Sequence, residues 1–131
     1  MALQDATILL VEEEPTLRDI TSFRLELLGY RVVTKVTADD ASRLIAEQLP
    51  DLIAVGHVAE MESIEFLNHL SNDPRTSDLP MIYLSGNSDL EEVQRAFNAG
   101  ADEFLVTPFD PLVLESKVEG LLLAAAMQPE S

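Results

Sequence analysis

Three successive carboxylates, Glu12, Glu13 and Glu14, follow directly on the apolar run Thr7 to Val11. Oxygen ligands crowded at one point suit a hard divalent cation such as Mg²⁺ or Ca²⁺. The simpler reading is an acidic pocket filled by solvent, with Glu14 serving the positive end of a helix that opens at Pro15. Metal binding at Glu12 and Glu13 is therefore expected to be weak at most, and no metal is assigned. His57 and Ser85 each stand just beyond another apolar run and add an imidazole and a hydroxyl. His57 could accept a phosphoryl group, but an exposed loop histidine is the preferred reading, and His69 in NHLSND reads as ordinary surface. The run Asp89, Glu91, Glu92 reads as the solvated start of a helix. The chain has no cysteine, which excludes disulfides, thiolate nucleophiles and thiolate zinc sites. Two histidines are a poor basis for a histidine metal site.

Charge narrows the function classes further. With 24 acidic against 8 basic side chains the formal net charge is -16, a field that repels phosphate backbones and anionic head groups. Direct contact with nucleic acid or a membrane surface is not expected. The N-terminus MALQDATILLV has no basic segment ahead of its apolar stretch, and the longest apolar run, Leu121 to Met127, is too short to span a bilayer. A cytoplasmic protein is the expectation. The 131 residues fit one domain over 1–131, with an ordered core over about 5–126, and 47% hydrophobic against 24% charged residues can sustain a packed core.

Positioning these groups requires a regular scaffold, and strand-length apolar runs do alternate with amphipathic stretches. Strands are predicted at Thr7 to Val11, Arg31 to Val36, Asp51 to Val55, Met81 to Leu84 and Glu103 to Val106. The first helix runs from Pro15 with Leu17, Ile20, Phe23, Leu27 and Leu28 inward and Gly29 closing it. The second, Ala38 to Leu49, turns Ala41, Leu44, Ile45 and Leu49 inward before Pro50, and the third, Glu62 to Leu70, uses Ile64, Phe66 and Leu67. A Ser88/Glu91 capping box opens the fourth ahead of Leu90, Val93, Ala96 and Phe97, with Gly100 ending it. Asp110-Pro111 opens the last, through about Ala126, with Leu112, Leu114, Val118, Leu121 and Leu122 toward the core. Its extra apolar residues, Leu123 to Met127, read equally as an interface or as the start of a connector. The fold class is α/β, a doubly wound five-stranded parallel sheet. Ligand crevices in such sheets lie beyond the strands' carboxyl ends, here Glu12 to Glu14, Gly56 to Glu60, Ser85 to Asn87 and Thr107-Pro108.

The stretches ILLVEEEPTLRDI, GYRVVT, LPDLIAV, IEFLNHL, LPMIYLSG and AFNAGADEFLVTPF, in this order and across nearly the full length, resemble the receiver domain of two-component response regulators. The resemblance implies a flavodoxin-like fold with strand order 2-1-3-4-5. It also implies a crevice that takes phosphate onto an aspartate after the third strand, aided by an acidic pair, Mg²⁺, a lysine after the fifth strand and a hydroxyl after the fourth. This chain departs from that set. Gly56 stands at the acceptor position and Thr107 at the lysine position, Glu12 and Glu13 replace the acidic pair with longer side chains, and the loop HVAEMES is about one residue short and lacks a Pro-Gly turn. Having neither the aspartate, where Gly56 stands, nor the lysine, where Thr107 stands, leaves no orphan charge. Ser85 and Phe104 match the switch hydroxyl and aromatic, with plain structural roles preferred, and a cis bond is expected at Thr107-Pro108. The resulting expectation is a pseudo-receiver in a two-component or phosphorelay context. It is not an enzyme, and it acts through a protein partner or homodimer at the face of the fourth helix, fifth strand and fifth helix, the candidate partners being a histidine kinase or a downstream output protein. The alternative is a metal-dependent phosphoacceptor using a non-standard residue in the acidic crevice. A flavodoxin-like cofactor binder is disfavoured because EEEP would repel phosphate.

Overall fold

The computed structural model describes residues 5–127; residues 1–4 and 128–131, part of the expected 1–131 unit, lie outside the described residues. Five strands alternate with five helices: β1 (Thr7–Val11), α1 (Pro15–Leu27), β2 (Arg31–Lys35), α2 (Ala38–Glu47), β3 (Leu52–Val55), α3 (Ser63–Asn72), β4 (Met81–Ser85), α4 (Leu90–Asn98), β5 (Glu103–Val106) and α5 (Pro111–Ala126). The strands form one parallel sheet in the order β2-β1-β3-β4-β5, the expected doubly wound arrangement. Among the described residues no helix is long and apolar enough to cross a membrane.

The continuous apolar strands are explained by two cores. Alternate side chains of a strand point to opposite faces, so Leu9, Val11, Ile53, Val55, Met81 and Tyr83 pack with Ala41, Ile45, Leu67 and Ala96 of α2, α3 and α4. Their neighbours Ile8, Leu10, Leu52, Ala54, Ile82 and Leu84 pack with Leu25 of α1 and Leu114, Val118 and Leu122 of α5. Burying one such side chain contributes about 1.5–3 kcal/mol. Register then aligns the strand ends: Val11 pairs with both Lys35 and Val55, Val55 with Tyr83, and Ser85 with Val106. Everything just past these pairs shares one edge.

Several helical faces differ from the pattern expected. In α1 the buried residues are Thr21 and Leu25, while Ile20, Phe23 and Leu27 are 49%, 59% and 59% exposed. The packed stripe, Leu17, Thr21, Leu25 and Leu28, has equally good helical spacing, but its polar Thr21 made the neighbouring stripe look more apolar. In α4 only Ala96 is buried, and Leu90 and Phe97 are exposed, because a helix seated close to the sheet fills its seam with small residues. The Ser88/Glu91 capping box does not form; Asp89 is the N-cap and makes no side-chain cap bond. The turn is closed instead by Asn87 Oδ1 accepting the Asp89 N–H at 2.9 Å. Leu112 is exposed on the first turn of α5, and Leu49 lies past the end of α2. Gly29 and Gly100 follow the helix ends with φ of 95° and 118°, the left-handed geometry glycine permits.

Candidate functional site

Glu12 continues the β1 ladder for one residue, its N–H donating to Lys35 O at 2.9 Å, while Gly56 N–H donates to Val11 O at 2.9 Å. This pairing brings the two residues side by side. The Glu12 side chain is only 2% exposed. Its Oε2 accepts the N–H of Glu14 at 3.0 Å and of His57 at 3.2 Å, and lies 3.2 Å from His57 Nδ1. A Cβ built on Gly56 would overlap Glu12 Oε1 and stand 2.9 Å from its Cδ. The Glu12 carboxylate therefore fills the space in which a side chain at position 56 would begin. Among the described residues no Lys or Arg side chain pairs with it, and the groups that meet its Oε2 are two backbone N–H groups and the imidazole.

The rest of the acidic run separates. Glu13 is exposed and its N–H donates to His57 O at 2.6 Å, a second tie between the loops after β1 and β3. Arg18 Nη1 donates to the carbonyls of Glu12 and Glu13, both at 3.3 Å. Glu14 is the N-cap of α1, accepting from Leu17 N at 2.7 Å and Thr16 N at 3.2 Å. Those two N–H bonds hold its carboxyl below the usual range. Past His57 the short loop is stitched down by Val58 N–H to Ser63 Oγ at 3.2 Å and Ala59 N–H to Val36 O at 2.9 Å, with Glu60 at a left-handed φ of 69°.

A receiver-type Mg²⁺ site does not fit these residues. Glu12 Oε2 is already met by three N–H-bearing groups, Gly56 has no side chain, Glu13 is exposed, and no group of three or more His, Cys, Asp or Glu side chains among the described residues could hold a metal. A cation would have to displace the bonds that hold both loops.

On the other side of the crevice Ser85 is buried, and its Oγ accepts the Asn87 N–H at 3.1 Å while donating to Glu92 Oε2 at 3.4 Å. Tyr83 donates its hydroxyl to the same oxygen at 3.0 Å. Burial and the Glu92 carboxylate push the Tyr83 phenol well above its ordinary range. Phe104, the residue paired with Tyr83 across the sheet, meets it edge to face, centroids 5.6 Å apart and planes at 67°, and joins the core on the α2–α4 side. The expectation of a solvated Glu92 is thus corrected: its side chain is 14% exposed and Arg95 Nη1 lies 3.6 Å away. Arg95 in turn binds Glu62 Oε1 of the α3 N-cap at 2.6 Å. The signal for Glu92 was the buried tyrosine in MIYLS, whose hydroxyl needs a partner. Thr107 is half-buried, donates its N–H to Ser85 O at 2.9 Å, and precedes Pro108 through a cis bond. A groove of about 430 Å³ between α3 and α4, lined by Glu62, Glu65, Asn68, Arg95 and Asn98 among others, includes none of the predicted site residues.

The family model for the response regulator receiver domain matches residues 8–119. The chain is 31% identical over 116 residues to the phosphate regulon transcriptional regulatory protein PhoB of Escherichia coli (strain K12), covering 88% of this chain and 51% of that protein. It is 28% identical over 125 residues to the DNA-binding dual master transcriptional regulator RpaA of Synechocystis sp., covering 95% of this chain and 52% of that protein. The chain thus spans about half the length of these curated relatives. Among solved structures it resembles the signal receiver domain of a signal transduction histidine kinase from Syntrophus aciditrophicus, with a TM-score of 0.84, 31% identity, and 96% of each chain covered. A putative response regulator from Chloroflexus aurantiacus J-10-fl gives a TM-score of 0.87 at 25% identity, covering 91% of this chain and 98% of that one.

Proposed function

This chain belongs to the response regulator receiver domain family, and from that premise we propose that it is a pseudo-receiver, a cytoplasmic signalling module that takes no phosphate by the aspartyl route, is not an enzyme, and acts through a protein partner. The observation that carries this reading is the Glu12 carboxylate seated against Gly56 in the space of a side chain at the acceptor position. A carboxylate remains at the centre of the crevice, but it is buried, held by N–H donors, and closed to an incoming phosphoryl group. Thr107, neutral and tied to Ser85 O, supports the same reading, since a lysine there would lack its aspartate.

The docking surface we assign is the face of α4, β5 and α5, where Leu90, Phe97, Val106, Leu112 and Val113 are exposed. Isolated exposed apolar side chains are ordinary, but five on three adjacent elements suit a protein interface. The net charge of -16 opposes pairing with a second copy and favours a partner whose apolar surface carries a basic or mixed-charge rim. A histidine kinase or a downstream output protein of a phosphorelay has the required class of role. The alternative of a metal-dependent phosphoacceptor has no fitting donor set at the crevice to favour it.

Incubation with acetyl phosphate and Mg²⁺ tests the proposal. The expected result is no acyl phosphate; an acid-stable, base-labile phosphate on an aspartate or glutamate overturns it.

A further inference from the structure

The pair Glu12 and His57 is left over once the aspartyl route is set aside. Glu12 Oε2 accepts two backbone N–H groups, so it meets the imidazole as an acceptor as well, at 3.2 Å from Nδ1. A carboxylate holding Nδ1–H places the free ring lone pair on Nε2 and fixes the ring's orientation. The carboxylate end of the pair is buried and the histidine side chain is 57% exposed. His57 also cannot drift with its loop, because its own N–H is bound to Glu12, its carbonyl accepts the Glu13 N–H at 2.6 Å, and Ala59 is tied to Val36. An anchored imidazole, oriented by a buried acid and open to solvent at the carboxyl edge of the sheet, has the layout of an activated nitrogen nucleophile. Its exposure at the protein surface suits a group offered to another molecule's phosphoryl donor.

We propose that His57 is a phosphoryl-acceptor site, taking phosphate on Nε2 from a nitrogen–phosphorus donor, with Glu12 as the positioning residue. The Nε2 lone pair attacks phosphorus, the N–P bond to His57 forms, and the donor's P–N bond breaks with its electron pair leaving on the donor nitrogen. With a donor whose nitrogen is already protonated, such as phosphoramidate, the leaving group is neutral ammonia and no proton need move. The Nδ1 proton stays on its bond to Glu12, whose carboxylate offsets the positive charge that phosphorylation puts on the ring. No divalent cation is required, in keeping with a crevice whose donors do not fit one. The proposal goes beyond the pseudo-receiver reading and does not depend on its docking face.

The chain itself supplies the control. His69 is exposed on α3 and shares the same molecule, buffer and donor. The intact protein is incubated with phosphoramidate and EDTA, and base-stable, acid-labile phosphate is assigned to each histidine by peptide mapping and ³¹P NMR. The expected result is labelling of His57 on Nε2 about tenfold faster than His69, with the excess lost in Glu12→Gln, the usual scale for removing a carboxylate that orients a functional histidine. Equal labelling of the two histidines, labelling of His57 on Nδ1, or no label at all overturns the proposal. Each of those results leaves the pseudo-receiver reading standing, which fails only on the acid-stable acyl phosphate.

Discussion

The two halves of the crevice answer the same problem in opposite ways. On the β1–β3 side, Gly56 projects no side chain and the space beside its Cα is filled by the Glu12 carboxylate. On the β4–β5 side, the hydroxyl of Ser85 and the ring of Phe104 are built into a structural network, with Ser85 and Tyr83 both donating to Glu92 and Tyr83 edge-on to Phe104. The first half closes with a long side chain from one strand end lying against a glycine on its neighbour. The second closes by recruiting an acid from the helix that follows. In both, a polar group at a buried edge is held by hydrogen bonds.

The contrast can be broken most sharply at position 56. Gly56→Asp brings a second carboxylate into overlap with Glu12 in a buried setting and is expected to lower stability by about 2–4 kcal/mol, read as the urea midpoint, with no gain of acyl phosphate. In a Glu12→Ala background the same change is expected to cost at least about 1 kcal/mol less; additive costs would mean that the two residues do not share that space. On the other side, Tyr83→Phe removes one donor to Glu92 and is expected to cost about 1 kcal/mol at neutral pH. It also flattens the alkaline pH response. Burial raises the phenols of Tyr83 and Tyr30 above their ordinary value of 10.0, so the folded state favours the protonated form. That contribution is whole below 10.0 and is lost as pH rises through the raised folded values. Urea midpoints measured across this alkaline window are expected to fall, and to fall less steeply in Tyr83→Phe. The smallest effect belongs to Glu14, whose carboxyl is lowered by the N–H groups of Leu17 and Thr16 below its ordinary value of 4.5. Its contribution is present above 4.5 and is lost as pH falls through the lowered folded value. Glu14→Gln is expected to flatten a slight acid-side loss of stability in the same unfolding assay.

Much of the scaffold was legible because β1, β3 and β4 are buried on both faces, and a strand buried on both faces has to be apolar at every position. TILLV, LIAV and MIYL announce themselves. The helical faces were harder. α1 carries two stripes with helical spacing, and the more apolar one, Ile20, Phe23 and Leu27, faces solvent, since packing selects a stripe by fit to the sheet and tolerates a buried Thr21. The α4 start misled for a related reason: Ser88 and Glu91 have capping-box spacing, but Asn87 closes the preceding turn and sets the helix one residue later. At the site, the sequence offers Gly56 and Thr107 as departures from the pattern that the resemblance implies. The Glu12–His57 pair and the partners of Glu92 were not, because residues 45 and 7 to 9 positions apart meet through strand register and a helix approach.

Sequence alone determined the parallel α/β architecture, the strand order implied by the family, and the absence of an aspartate at position 56 and of a lysine at position 107. These follow from apolar runs, turn residues and residue identity, which are local. Only the tertiary structure decided that Glu12 turns inward while Glu13 stays in solvent. The extra methylene of glutamate lengthens its reach, and the ladder that sets Gly56 beside it supplies an open Cα to lie against and a His57 N–H to bind. A carboxylate settles where N–H donors converge and no Cβ stands in the way, and that convergence exists only once β1 and β3 have paired.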